Sequence, residues 1–248
     1  MVVLLVMIGV FCLSQQSYAP RAQTMMLMGA GGGTSVASSP PTVTYIAENG
    51  STSGSGTSTI TWSSVNIGSA FATRRIIIAQ PAATSGLTLV SCTIAGISCD
   101  VVNNQSSGST LIAFATALIG NTGGSSASAV LTFSNSNFNA ISLWVWSVDN
   151  ALLNSATPTV GSNVDTANTS NTASTTASSG GFVISVFTAT TAAGTVSIGS
   201  SDAGVTQDGS TVSNAAVGHA NSTGSGSSSI TWNSGNSVIS NVAIAAWR

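Results

Sequence analysis

The stretch SAVLTFSNSNFNAISLWVWSV, residues 128–148, decides the fold class. Its first part alternates, with Leu131 and Phe133 apolar against Thr132 and Ser134. That period of two marks a strand with one buried face. The last eight residues, 141–148, do not alternate: only Ser142 and Ser147 interrupt a run of aliphatic and aromatic side chains. A strand apolar on both faces suits the middle of a sandwich or a subunit contact. The Ser/Asn cluster between them is turn chemistry.

The same theme fills residues 42–248. Further runs at 43–47, 58–62, 75–80, 87–94, 97–102, 110–117, 182–188, 195–198, 215–220, 228–232 and 238–247 are separated by Ser, Thr, Gly and Asn clusters. About a dozen short strands at this spacing predict a sandwich or barrel. Past residue 41 no window keeps apolar residues at helical spacing among helix formers, and the Ala residues sit among Thr, Ser and Gly. The expected fold is all-β: an antiparallel β-sandwich, jelly-roll or Ig-like, preceded by an apolar N-terminal segment and a Gly-rich arm.

Residues 1–41 read differently. The run VVLLVMIGVFCL at 2–13 is far shorter than the roughly twenty residues that span a bilayer. It has the length of a signal-peptide core, with cleavage after Ala19, and the membrane enters only if residues 1–19 act as an export signal. Against that, no Lys or Arg precedes the run and Pro20 follows the cleavage point, so a retained assembly segment is the other reading. Cys12 falls in this leader and is expected to be unpaired. Gly29, Gly31, Gly32, Gly33 and the Pro40-Pro41 pair make a linker. Residues 1–41 are therefore a leader or docking arm with its linker, and 42–248 the sandwich. Residues 163–181, NVDTANTSNTASTTASSGG, form either a long exposed connection or a pair of polar edge strands, and a boundary between sub-units near 160–180 is compatible with both.

Composition narrows function. The chain carries four Arg, six acidic residues, no Lys and a net charge of −2; 4% of it is charged, against roughly 25% in an average soluble domain. Ser and Thr number 76 of 248 residues. An apolar fraction of 43% excludes charge-driven disorder. Four cations cannot neutralise a phosphate backbone, so nucleic acid is not an expected partner. No cofactor or metal is expected, because no Cys/His spacing suits a metal and no nucleophile elbow appears. The acids are scattered, and Asp202 and Asp208 sit in a turn-rich stretch. His219, among small residues with no acid close in sequence, reads as a packed strand residue. Arg74 and Arg75, at the start of a strand, read as blunting its end, at least one of the two anchoring a carboxylate across the sandwich.

Two further features stand out. SCTIAGISCD reads as a hairpin turning at Ala95-Gly96, which sets Ile94 opposite Ile97 and Cys92 opposite Cys99. Opposed strand residues lie within disulfide reach, so a Cys92–Cys99 bridge and two buried thiols are both open, compartment deciding. Also, GSGTSTITWSS at 54–64 and GSGSSSITWNS at 224–234 agree at eight of eleven positions. The echo is either convergence of low-complexity composition or the trace of a duplication. Either way, Trp62 and Trp232 are expected as equivalent core anchors.

The succession TVTYIAENG, TITWSSVNIGSAFATRRIIIA, LVSCTIAGISCDVV, AISLWVWSVDNA and SSGGFVISVF resembles a family of β-sandwich proteins found among tailed-phage and prophage genes. The resemblance spans most of 42–248 and rests on strand patterns. It implies a virion component without catalytic function: capsid decoration, head fibre or tail-associated. Its partners would be other virion proteins and further copies of itself. An exported cell-surface or adhesin-like sandwich, its leader removed and its two hairpin cysteines oxidised, is the alternative.

Overall fold

A computed structural model of the chain describes residues 40–55, 57–82, 86–104, 110–150, 158–210 and 214–248. The apolar run, Cys12, Arg21 and the Gly cluster lie outside the described residues. Among the latter there are fifteen strands and no helix, every pairing antiparallel.

The first nine strands build one sandwich. They are β1 (Thr42–Ser55), β2 (Thr59–Asn66), β3 (Arg75–Ala82), β4 (Leu89–Ile94), β5 (Ile97–Ser98), β6 (Asp100–Asn104), β7 (Leu111–Leu118), β8 (Ser126–Phe133) and β9 (Asn137–Asp149). One sheet runs β1-β9-β3-β7-β6 and the other β2-β8-β4-β5. Strands β5 and β6 are one strand position, divided at Cys99 where the chain changes sheets. Counted by position the sheets are 1-8-3-6-5 and 2-7-4-5, the order of a jelly roll. The β4–β5 hairpin turns at Ala95 and Gly96, both with positive φ (54° and 77°), the conformation of a tight hairpin turn.

The remaining strands are β10 (Thr159–Ala177), β11 (Gly181–Ala189), β12 (Val196–Ser201), β13 (Thr206–Ser210), β14 (Ala215–Thr223) and β15 (Gly226–Trp247). Sequence reading misses β13, and it leaves β10 open between a connection and a pair of edge strands. It is a single strand whose two halves pair with the two halves of β15. The register slips between Asp165 and Ser170, Ala167 takes φ 67°, and Asn168 Nδ2 donates to Asp165 Oδ1 at 2.7 Å. Gly161 is thereby brought against the second half of the strand, where a Cβ would stand 1.5 Å from the Ser174 carbonyl oxygen. Only glycine fits there.

Taking each half of β10 and β15 as one position, the second set repeats the first. Its inner layer runs β10 first half, β15 second half, β11, β14, β13, again 1-8-3-6-5. Its outer layer runs β10 second half, β15 first half, β12, again 2-7-4. The molecule is two jelly rolls in tandem. Register aligns them residue by residue: Ile77 faces Trp146 and Thr116 in the first, and Ile184 faces Ala245 and His219 in the second.

Three cores follow. One fills the first sandwich (Ile76, Ile78, Leu131, Phe133, Val145) and one the second (Val183, Phe187, Ile230, Trp232, Ile244). The third lies between the sandwiches, where Ile77, Phe114, Trp144 and Trp146 meet Phe182, Ile184, Val217, Ala245 and Trp247. This middle layer is why β3, β7, β9, β11 and the end of β15 are apolar on both faces.

The two echo tryptophans are not equivalent, contrary to expectation. Trp62 lies on β2, opposite Ala129, and is half-buried, whereas Trp232 lies on the first half of β15 and is fully buried. The segments 127–148 and 226–247 align without gaps, which puts Phe133 at Trp232's place. Thr175 stands where Trp62 stands, since it faces Ser228 as Trp62 faces Ala129. The echo therefore falls on the second strand position of one sandwich and the seventh of the other. A true repeat is visible elsewhere: Thr59 and Thr132 pair their hydroxyls at 3.2 Å on one outer face, and Thr172 and Thr231 do so at 2.7 Å on the other.

Candidate functional site

The densest polar cluster sits at one rim of the middle layer. Asp208 on β13 is 7% exposed and accepts from Trp146 Nε1 on β9 at 2.8 Å. Both its oxygens lie 2.8 Å from His219 Nδ1 on β14. A carboxylate only accepts, so Nδ1 carries the proton and Nε2 is the ring's other face. Two strands of the second sandwich are thus clamped to a tryptophan of the first. Tyr45 on β1 completes the rim, its ring 5.8 Å from that of Trp146 and 6.2 Å from that of Trp144. Its phenol is pushed up to about 12, first by burial and then by the negative charges of Glu48 and Asp208. Gly209 lets β13 lie on these rings, since a Cβ there would meet Trp144 Cζ3 at 2.7 Å.

The sequence hides this cluster. Asp208 and His219 are eleven residues apart on neighbouring antiparallel strands, but the TQDGS stretch that carries Asp208 reads as turn. The signal that finds it is hairpin register, with Thr206 opposite His219 and a bulge between Gln207 and Gly209. At the opposite rim the equivalent places hold other chemistry. Thr116, in the place of His219, accepts from Arg75 Nη1 at 3.1 Å. Burial pushes the Arg75 guanidinium below its usual range, and nearby Asp100 offsets part of that.

Of the two arginines, Arg74 is not a carboxylate anchor. It is fully buried and donates to four backbone carbonyls: Gly120 from Nε at 3.0 Å, Gly68 and Gly124 from Nη1 at 2.9 and 2.6 Å, and Thr122 from Nη2 at 2.6 Å. Turns 66–74 and 119–125 close around it. Loop carbonyls with no strand partner need donors, and one planar guanidinium supplies several in fixed geometry.

Cys92 and Cys99 form a disulfide across the β4–β5 hairpin with Cα atoms 5.2 Å apart, and Cys99 N donates to Cys92 O at 2.9 Å. The bridge pins the residue at which the chain leaves one sheet for the other. Three of the acids serve turns and strand ends: Asp149 accepts from Thr73, Asp165 from Asn168, and Asp202 from both the backbone and the hydroxyl of Ser229. Among the described residues no three His, Cys, Asp or Glu come together as metal ligands.

Fold and site define a class: a tandem jelly-roll β protein with an aromatic seam closed, among the described residues, by a partly buried His–Asp pair. Set beside known proteins, the chain matches no family model, no curated protein and no solved structure.

Proposed function

We propose that the chain is a structural component of a tailed-phage virion, a capsid-decorating, head-fibre or tail-associated protein that acts by assembly and surface display. The observation that carries the reading is the chemistry of the two outward faces. One presents Thr59, Thr61, Ser126, Ser128 and Thr132, the other Ser170, Thr172, Ser174, Thr176 and Ser227, while Arg74 and Arg75 are turned inside. Such neutral hydroxyl faces favour many weak contacts over a single charged one. Jelly rolls also recur in viral capsid domains, as they do in lectins and cupins, which supports the reading by fold analogy. Its partners are other virion proteins and further copies of the chain, and no catalysis is assigned to it.

The test is quantitative mass spectrometry of gradient-purified particles. The chain is expected at fixed stoichiometry with the capsid or tail proteins. Its recovery only from envelope or secreted fractions, without particles, overturns the proposal. One observation favours the second reading, an exported cell-surface sandwich: the Cys92–Cys99 disulfide, since such bonds persist in oxidising compartments. An intact native mass lacking residues 1–19 and short of two hydrogens would select that reading.

A further inference from the structure

We propose that the groove where β10 crosses itself binds a neutral, hydroxyl-rich ligand, a glycan. It is a shallow depression, open to solvent, with a volume of about 340 Å³, and is lined by Thr159, Val160, Ser174, Thr175, Thr176 and Ser227. That volume is at the small end of ligand sites, enough for a short saccharide. Five of the six lining side chains end in a hydroxyl and the sixth is aliphatic. No charged side chain and no amide takes part.

The lining selects the ligand class. The exposed hydroxyls of Thr159, Ser174, Thr176 and Ser227 both donate and accept, so each can answer a sugar hydroxyl in either sense. An anion or cation entering the groove would lose hydration and meet no side chain of opposite charge. The site is also held in shape before anything binds. Thr175, 8% exposed, donates from Oγ1 to the Thr159 carbonyl at 3.0 Å, and the Gly161–Ser174 approach locks the two halves of β10 against each other. Short side chains on paired strands have little freedom to lose, which lowers the cost of binding. Beyond the groove, Thr172 and Thr231 continue the hydroxyl surface along the same face, a track for a longer chain.

The first sandwich does not repeat the groove. Register sets Tyr45 at the place of Val160 and Trp62 at the place of Thr175, so the hydroxyl that Thr175 turns to the Thr159 carbonyl has no counterpart there. One such site among the described residues follows. The proposal is independent of the virion reading, because a glycan ligand would serve a particle or a cell surface alike.

The test screens the full native chain against immobilised neutral hexose oligosaccharides and their sialylated and sulfated counterparts. The best neutral oligosaccharide is then titrated in solution. Saturable binding of one neutral saccharide per chain is expected. The double variant Thr176→Val, Ser227→Ala should weaken it about ten- to thirtyfold, the loss of two neutral hydrogen bonds. Both residues are exposed, so the variant should melt with the parent protein. Failure to bind any neutral saccharide, a preference for charged glycans, or full affinity in the double variant each overturns the proposal.

Discussion

Tyr45 and Arg74 show how single side chains take their roles from distant neighbours. The Tyr45 phenol, raised to about 12, stays neutral in the folded chain at pH values where an unfolded tyrosine, near 10, has ionised. Above pH 10 the unfolded state gains by losing its proton and the folded state does not. Stability is therefore expected to be whole below pH 10 and to fall from about 10 to 12. Urea unfolding followed across that range checks this, and Tyr45→Phe should remove most of the fall. Arg74 makes a different prediction. Arg74→Lys keeps the charge but cannot reach four carbonyls in one plane, so buried acceptors lose their donors. A destabilisation of about 2–4 kcal/mol is expected, read as a lower urea midpoint at unchanged slope. In sequence the Arg74-Arg75 pair is conspicuous but its task is not, because carbonyls at 68, 120, 122 and 124 leave no trace in side-chain identity.

Strands differ in how plainly they announce themselves. β3, β8, β9, β11 and the end of β15 are legible because burial demands β-branched and aromatic residues, whether on one face or both. β10 and β13 are not, since an edge strand whose outer side chains face water can be built from Thr, Ser, Asn and Gly, the same residues that build turns. The pair Trp62 and Trp232 carries the lesson further. Eleven-residue likeness suggests equivalence, yet pairing partners define position in a sheet, and these two tryptophans have different ones. Trp232 is enclosed and donates from Nε1 to Ser185 Oγ at 2.9 Å; Trp62 only borders its core. Trp232→Ala should cost about 3–5 kcal/mol and Trp62→Ala no more than about half of that. Equal losses in thermal and urea unfolding would contradict the assignment.

The whole molecule is organised by its middle layer. At equivalent positions the first sandwich offers Trp144 and Trp146 where the second offers Ala243 and Ala245, so the two faces of the seam are not alike. Rings also meet across it, Phe114 of the first sandwich standing edge-on to Trp247 of the second with centroids 5.9 Å apart. Burial also governs access. With no Lys in the chain, Arg74 and Arg75 are the only trypsin sites in 40–248 before the terminal Arg248, and they are 0% and 5% exposed. Native protein incubated with trypsin should release no peptide ending at residue 74 or 75, and both cuts should appear once urea unfolds it. What the chain declares locally is its class: period-two and two-faced apolar runs, turn residues and ten charges lead to a low-charge antiparallel sandwich, because those signals act over a few neighbours. The doubling of the jelly roll, the union of Asp208, His219, Trp146 and Tyr45, and the crossing of β10 arise from pairing between strands tens to hundreds of residues apart. Register and packing set them, and no run of adjacent residues encodes either.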